Sequence, residues 1–193
     1  MNEPAMDHDR ELVAAVQRTE RGAFERLVKA HQGLTWHVFY RLVQHPEDAR
    51  ELCQETFLRV YQRLHQYRGD SPLAGWIAQI AYHIGVRHLQ RKRIPLESEL
   101  DDADGEGRFA LVADAADIEA GLGELQVMTL LDQGMARLPP MQRMLLTLYH
   151  LDEMSIGEIS TMTGQPEGTI KNSLFRARHR LRQLLEPKLE VAV

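Results

Sequence analysis

The sequence predicts an all-α protein: two helical domains joined by an acidic flexible linker, the C-terminal one a helix-turn-helix. Three observations predict it. Apolar residues recur three and four apart along most of the chain and nowhere alternate with period two, so no strand is expected. One long segment is rich in acids and poor in large apolar side chains, as linkers are. The stretch from Met154 to Leu185 reads as a short helix, a tight turn and a longer basic helix. The expected division is a helical domain over 1–94, the linker over 95–124 and a second helical domain over 125–193.

Leu12, Val13 and Val16 mark a short first helix, ended near Gly22. Ala23, Phe24, Leu27 and Val28, then Leu34, Val38 and Leu42, carry a second helix to about Gln44. Pro46 restarts the chain, its absent N–H costing nothing at a helix start. Ala49, Leu52, Cys53, Phe57, Val60 and Leu64 then run one stripe through a third helix. A loop from Gln66 to Pro72 precedes a fourth helix, Leu73 to about Arg93, which stops before Pro95. Four helices of these lengths can share one core. Within the linker, Asp117 is a cap-like residue before Ile118 to Glu124. The helical period resumes with Val127, Leu130, Leu131 and Met135, and Pro139-Pro140 opens a helix bearing Met144, Leu145 and Leu148.

In the helix-turn-helix, Ser155 and Glu158 fit a capping box, each satisfying a free backbone donor. Ile156, Ile159 and Met162 form the apolar stripe of the first helix. Gly164 stands where that helix stops, and Pro166 where the next begins. At about 100° per residue, Ile170, Leu174, Ala177 and Leu181 stack on one side of the second helix. Asn172, Phe175, Arg176 and His179 face away from them, with Thr169 alongside. A core does not explain a phenylalanine between an asparagine and an arginine on the polar side. A major groove does, since Arg pairs with guanine, Asn with adenine, and an aromatic edge packs on a thymine methyl. Lys171, Arg178, Arg180 and Arg182 flank that face as phosphate contacts. The competing reading is an ordinary amphipathic helix pair with a solvated basic face.

Composition narrows the function. Hydrophobic residues make up 44% of the chain, enough for packed cores. The start, MNEPAMDHDRELV, lacks the apolar core of a signal peptide and no run reaches membrane-span length, so a cytoplasmic protein is expected. The single cysteine, Cys53, excludes an internal disulfide and a cysteine-based zinc site, and its place on an apolar face suits a small hydrophobe better than a redox sensor. The net charge of −5 is misleading for a nucleic-acid binder. Glu97 to Glu124 holds ten acids against Arg108 alone, a net −9, which leaves +4 elsewhere.

Two further constellations stand out. The third helix carries Asp48, Glu51, Glu55 and Leu58 opposite its apolar stripe, with Gln54 at the edge. A solvated acidic face is the plain reading; an exposed leucine among carboxylates also suits docking of a basic partner helix. The fourth helix and preceding loop combine rings with cations: Tyr67, Arg68, Trp76, Tyr82, His83, Arg87, His88, Arg91, Lys92 and Arg93. Such interleaving serves single-stranded nucleic acid, because every base has a π-face and every nucleotide a phosphate. Alternatively Trp76 and Tyr82 are core and the terminal cations favour the helix dipole. No H-E-x-x-H, phosphate-loop or nucleophile-elbow signature occurs. No enzyme, cofactor, metal site or small-molecule substrate is expected.

These features in this order resemble the extracytoplasmic-function sigma factors, the minimal two-domain class of bacterial RNA polymerase sigma subunits. The resemblance rests on Asp48 to Phe57 (DARELCQETF), Tyr67 to Leu73 (YRGDSPL) with Trp76, Arg137 to Pro140 (RLPP), and Gly168 to Arg178 (GTIKNSLFRAR). It implies a subunit that binds core RNA polymerase, through the beta-prime clamp and beta flap, and directs it to promoter DNA. Asp48, Glu51, Gln54, Glu55 and Leu58 would dock on the clamp helices. Tyr67, Arg68, Ser71, Trp76, His83, Arg87, Arg91, Lys92 and Arg93 would hold the melted minus-ten element, with a flipped base in the loop. Thr169, Lys171, Asn172, Ser173, Phe175, Arg176, Arg178, His179 and Arg180 would read the minus-thirty-five element as duplex. The acidic linker would thread toward the polymerase cleft. An anti-sigma factor, in this family often membrane-anchored, would hold the protein inactive and could keep it at the inner membrane. The chain departs from the family at His83 and Arg87, where many members carry Asn and Asp, and at Asn172 and Ser173. Two other readings share the residues: a sigma-like protein that only binds an anti-sigma factor, and a conventional helix-turn-helix regulator.

Overall fold

The computed structural model describes residues 3–96 and 124–190. The linker segment 97–123, with the cap-like Asp117, lies outside the described residues. Helices α1 (Glu3–Gln17), α2 (Ala23–Val43), α3 (Pro46–Arg63) and α4 (Leu73–Arg91) precede that gap, and α5 (Glu124–Ala136), α6 (Pro140–His150), α7 (Ile156–Thr163) and α8 (Glu167–Glu190) follow it. Among the described residues there is no strand, and the fold class is the one the sequence predicts.

The helix ends follow local chemistry. Gln44 takes the left-handed conformation, φ 54°, and its N–H closes α2 on Tyr40 O. His45 then caps α3, accepting from Asp48 N, with Pro46 in the first turn. At the end of α4, Arg93 N donates to Gln90 O and Ile94 N to Leu89 O, with Arg93 at φ 56°. This is a Schellman stop made without glycine. It ends the basic run before Pro95.

Two buried clusters form. The first joins Leu12, Val13 and Val16 of α1 to Leu27, Phe57, Val60, Leu64, Leu73 and Ile77. The second begins with Val38, Phe39, Leu42 and Leu52 and continues through Ala78, Ala81, Ile84 and Leu89. It runs on without a break into Met141, Met144, Leu145, Leu148, Ile159, Met162, Ile170 and Leu174. Gly85 permits a close approach of α2 and α4; a Cβ there would stand 2.6 Å from Leu42 Cδ1.

The N-terminal bundle and the C-terminal module therefore share a core. Helix α6 shows how. All eight residues from Met141 to Leu148 are buried, including Gln142, Arg143 and Thr147. A helix covered on every side is central, and α2 covers the side that periodicity alone would leave to water. Met141 N donates to Leu96 O, 3.1 Å, and Gln44 Nε2 to Ala136 O, 3.0 Å. Arg143 is only 3% exposed. Its Nε donates to Arg41 O and its Nη2 to Leu42 O at 3.3 Å, both carbonyls in the last turn of α2. Its Nη1 donates to Ala136 O and Leu138 O at 3.2 and 2.9 Å. A buried cation thus closes the carbonyl end of α2, where the helix dipole favours positive charge. His37 Nδ1 lies 2.6 Å from Asp152 Oδ1 and adds a second link.

Candidate nucleic-acid and polymerase-docking surfaces

The C-terminal surface is built on α7 and α8. Glu158 N donates to Ser155 Oγ at 3.2 Å and Ser155 N to Glu158 Oε2 at 2.8 Å, so the capping box is complete. Gly164, φ 74°, ends α7 by donating to Ser160 O. The turn is further tied by Ser160 Oγ to Gln165 O at 2.6 Å and by Gln165 N to Thr163 Oγ1 at 3.3 Å. A turn held at both ends gives α8 one orientation.

Ile170, Leu174 and Ala177 are buried on the inner side of α8. Thr169, Lys171, Asn172, Arg178 and His179 are exposed, and Arg176 and Arg180 half-buried. Phe175 is 40% exposed, on the polar side as its spacing requires. Ser173 differs. It is 1% exposed and faces the helix-turn-helix core, so its hydroxyl is not on the outward face. The 100° rotation from Asn172 carries it inward, next to Leu174. Burial and the nearby Arg178 guanidinium hold the His150 imidazole below its ordinary value.

The second surface is α4 with the loop before it. The Tyr67 hydroxyl donates to Ser71 O at 2.6 Å, and the Tyr67 ring meets Trp76 with centroids 5.6 Å apart. Burial, reinforced by Asp9, raises the Tyr67 phenol above its usual range. Trp76 is half-buried and packs on the first core, and Tyr82 is buried outright. Arg68, His83, Arg87, Arg91 and Arg93 are exposed, while Ser71 is half-buried. Lys92 is engaged within the chain: its Nζ is 2.5 Å from Asp48 Oδ2.

That pair also qualifies the third surface, on α3. The hydrogen bond from Lys92 holds the Asp48 carboxyl below its ordinary value, against desolvation and with help from His45 and His88. Glu55 pairs with Arg59 at 2.5 Å. Glu51 and Gln54 remain exposed, and Leu58 is 58% exposed. Asp48 and Lys92, assigned by sequence to two different partners, pair with each other.

Beside Leu58 lies an apolar groove of about 720 Å³, lined by Phe24, Val28, Trp36, Phe57 and Leu58 among others. Exposed Tyr61 meets the groove-lining Phe24 edge-on at 5.0 Å. Sequence reasoning placed Phe24 and Val28 in the apolar pattern of the second helix and missed this groove. The available signal was the width of the apolar pattern on α2, where Phe24 and Val28 extend beyond the stripe through Leu27 and Val38. Cys53 also lines it. Burial pushes its thiol up to about 11, against a weaker opposing hydrogen bond with Thr35, which keeps it protonated at neutral pH.

Comparison with known proteins now assigns the family. The sigma-70 region 2 model matches residues 27–94 and the sigma-70 region 4 model residues 128–181. The RNA polymerase sigma-H factor of Pseudomonas aeruginosa is 32% identical over 190 residues, 96% of this chain and 98% of that one. The ECF RNA polymerase sigma factor SigW of Bacillus subtilis is 24% identical over 176 residues, 90% of this chain and 94% of that one. Among solved structures, the sigma factor RpoE in complex with the anti-sigma factor NepR from Bartonella quintana has a similar fold. Its TM-score is 0.62 at 21% identity, over 86% of this chain and 98% of that one. The chain, with its two matched regions and a full-length relative, belongs to the RNA polymerase sigma factors of the sigma-70 family, in their extracytoplasmic-function group.

Proposed function

We propose that this sigma factor divides its work among three surfaces. Glu51, Gln54 and Leu58 of α3, with the adjoining groove, dock core polymerase at the beta-prime clamp. Arg68, His83, Arg87 and Arg91 of the loop and α4 hold the melted minus-ten strand, with the Tyr67–Trp76 pair at the loop end of that face. Asn172, Phe175 and Arg176 of α8 read the minus-thirty-five duplex, and Lys171, Arg178 and Arg180 grip its phosphates. The chain acts as a noncatalytic, cytoplasmic specificity subunit. An anti-sigma partner silences it by covering α3 and the DNA faces; RpoE, similar in fold, is solved in complex with an anti-sigma factor.

The observation that carries this reading is the coexistence of three exposed faces of different chemistry on one chain: acidic with an apolar anchor, basic with a ring pair at its loop end, and basic with an outward Phe175. A DNA regulator has no use for the first of these. The test is transcription in vitro with core polymerase over a randomised promoter library. Glu51→Arg is expected to abolish holoenzyme formation on a native gel, and Arg176→Ala to blur the selected upstream element. Intact holoenzyme with Glu51→Arg would refute the docking surface.

A further inference from the structure

The loop between α3 and α4 is held from outside itself. Pro72, the N-cap of α4, has no side-chain oxygen to accept a first-turn amide. The acceptor comes instead from α1, where Asp9 Oδ2 receives Leu73 N–H at 2.8 Å across 64 residues of sequence. Its neighbour reaches the loop's apex: Arg10 Nη2 donates to Gly69 O at 3.4 Å. The Arg10 side chain lies along Gly69, where an added Cβ would stand 3.1 Å from Nε. Gly69 has φ +73°, a conformation that favours glycine. Two consecutive residues of α1 thus pin the exit and the apex of one loop, and the Tyr67 hydroxyl braces it from within.

We propose that Asp9 and Arg10 are positioning residues for capture of the melted strand: they preform the loop, so that strand binding depends on a helix that touches no DNA. The proposal rests on the reading of Tyr67 to Leu73 as the strand-holding loop. The physical reason is that a loop already in its bound shape does not lose backbone freedom on binding.

The test uses holoenzyme assembled from the full chain and core polymerase. Three quantities are measured: affinity for a single-stranded oligonucleotide copying the non-template strand of a promoter selected with this holoenzyme, affinity for core, and amide exchange at Leu73. Asp9→Ala is expected to weaken oligonucleotide binding roughly tenfold, the scale of a lost cap, and to speed Leu73 exchange while core affinity holds. Asp9→Asn, whose amide oxygen still accepts, restores most of the binding. Unchanged oligonucleotide binding in Asp9→Ala overturns the proposal, as does a loss of core affinity by the same factor, unchanged Leu73 exchange, or an Asn variant as weak as the Ala one. Arg68→Ala separates the two levels of failure. If it leaves oligonucleotide affinity intact, the loop does not hold the strand and the functional reading falls, taking the proposal with it. If it weakens binding and Asp9→Ala does not, the loop reading stands and the anchor alone is wrong.

Discussion

Replacing Arg143 by Met keeps an unbranched apolar stem and removes every donor. In the compact body, two of its four acceptors, Arg41 O and Leu42 O, belong to α2, and the other two lie at the end of α5 and just after it. The latter pair is lost whether or not the modules stay together. The α2 carbonyls behave differently, since they are orphaned only while α6 still covers them. Parting the modules returns both to water. A buried acceptor without a partner costs about 1–3 kcal/mol, so Arg143→Met should shift the closed-to-open equilibrium by about 3 kcal/mol, roughly two orders of magnitude. The guanidinium itself remains charged at neutral pH even though burial, with Arg41 nearby, lowers it to about 10.

Small-angle scattering reads the result. A compact chain of 193 residues has a radius of gyration of about 16 Å. The wild type should lie closer to that value than Arg143→Met, with helical content retained by circular dichroism. Gln44→Ala, which deletes only the bond to Ala136 O, should shift the profile in the same direction and less. A compact Arg143→Met with unchanged thermal midpoint would refute the reasoning, because orphaned carbonyls must then cost little there.

Three other outcomes are expected. His31 has a buried Nε2 with no hydrogen-bond partner among the described residues, and burial holds its imidazole below the ordinary value against the pull of Asp9. The folded form therefore resists the proton that the unfolded chain takes up near about 6.5, so stability is full above that pH and falls below it. Thermal midpoints at pH 7.5 and 5.5 should drop for wild type, and the drop should shrink in His31→Asn; equal slopes would exclude His31 as the source. Cys53, protonated and half-buried, should react with iodoacetamide at neutral pH far more slowly than a free thiol, and a rate like that of free cysteine would show the groove to be open there. Arg176→Ala should cost about 1–3 kcal/mol of discrimination at one base pair, seen as a flattened position in promoter selection while the remaining positions keep their preference.

How far the sequence reached depended on distance along the chain. The capping box needs only Ser155 and Glu158, three apart, and the stop at Gly164 needs one residue, so both were legible. Leu58 was legible as exposed because it interrupts an acidic face. Arg143 was not. The stripe of Met144, Leu145 and Leu148 marks one buried side of α6, but periodicity is silent on whether a second element covers the other. The same limit hid the pairing of Asp48 with Lys92 across 44 residues and of Asp9 with Leu73 across 64. Ser173 shows a finer limit. A family motif places a residue on a helix, yet one step of rotation decides whether it faces DNA or core.

The shared core also bears on how promoters are engaged. Elements at minus ten and minus thirty-five lie about 25 base pairs apart, about 85 Å at 3.4 Å per step. A body with a radius of gyration of about 16 Å is about 42 Å across. It cannot touch both elements at once. A chain of the length between Leu96 and Glu124 can reach about 90 Å at full extension, so covalent connection does not forbid the separation that the promoter demands. The α3 face imposes no such demand, since Glu51, Gln54 and Leu58 are open to solvent in the compact body. On the proposed assignments, docking to polymerase needs no rearrangement, whereas reading a whole promoter requires α6 to leave α2. The two bonds of Arg143 to α2 therefore lie on the path to promoter recognition, though that side chain is itself buried.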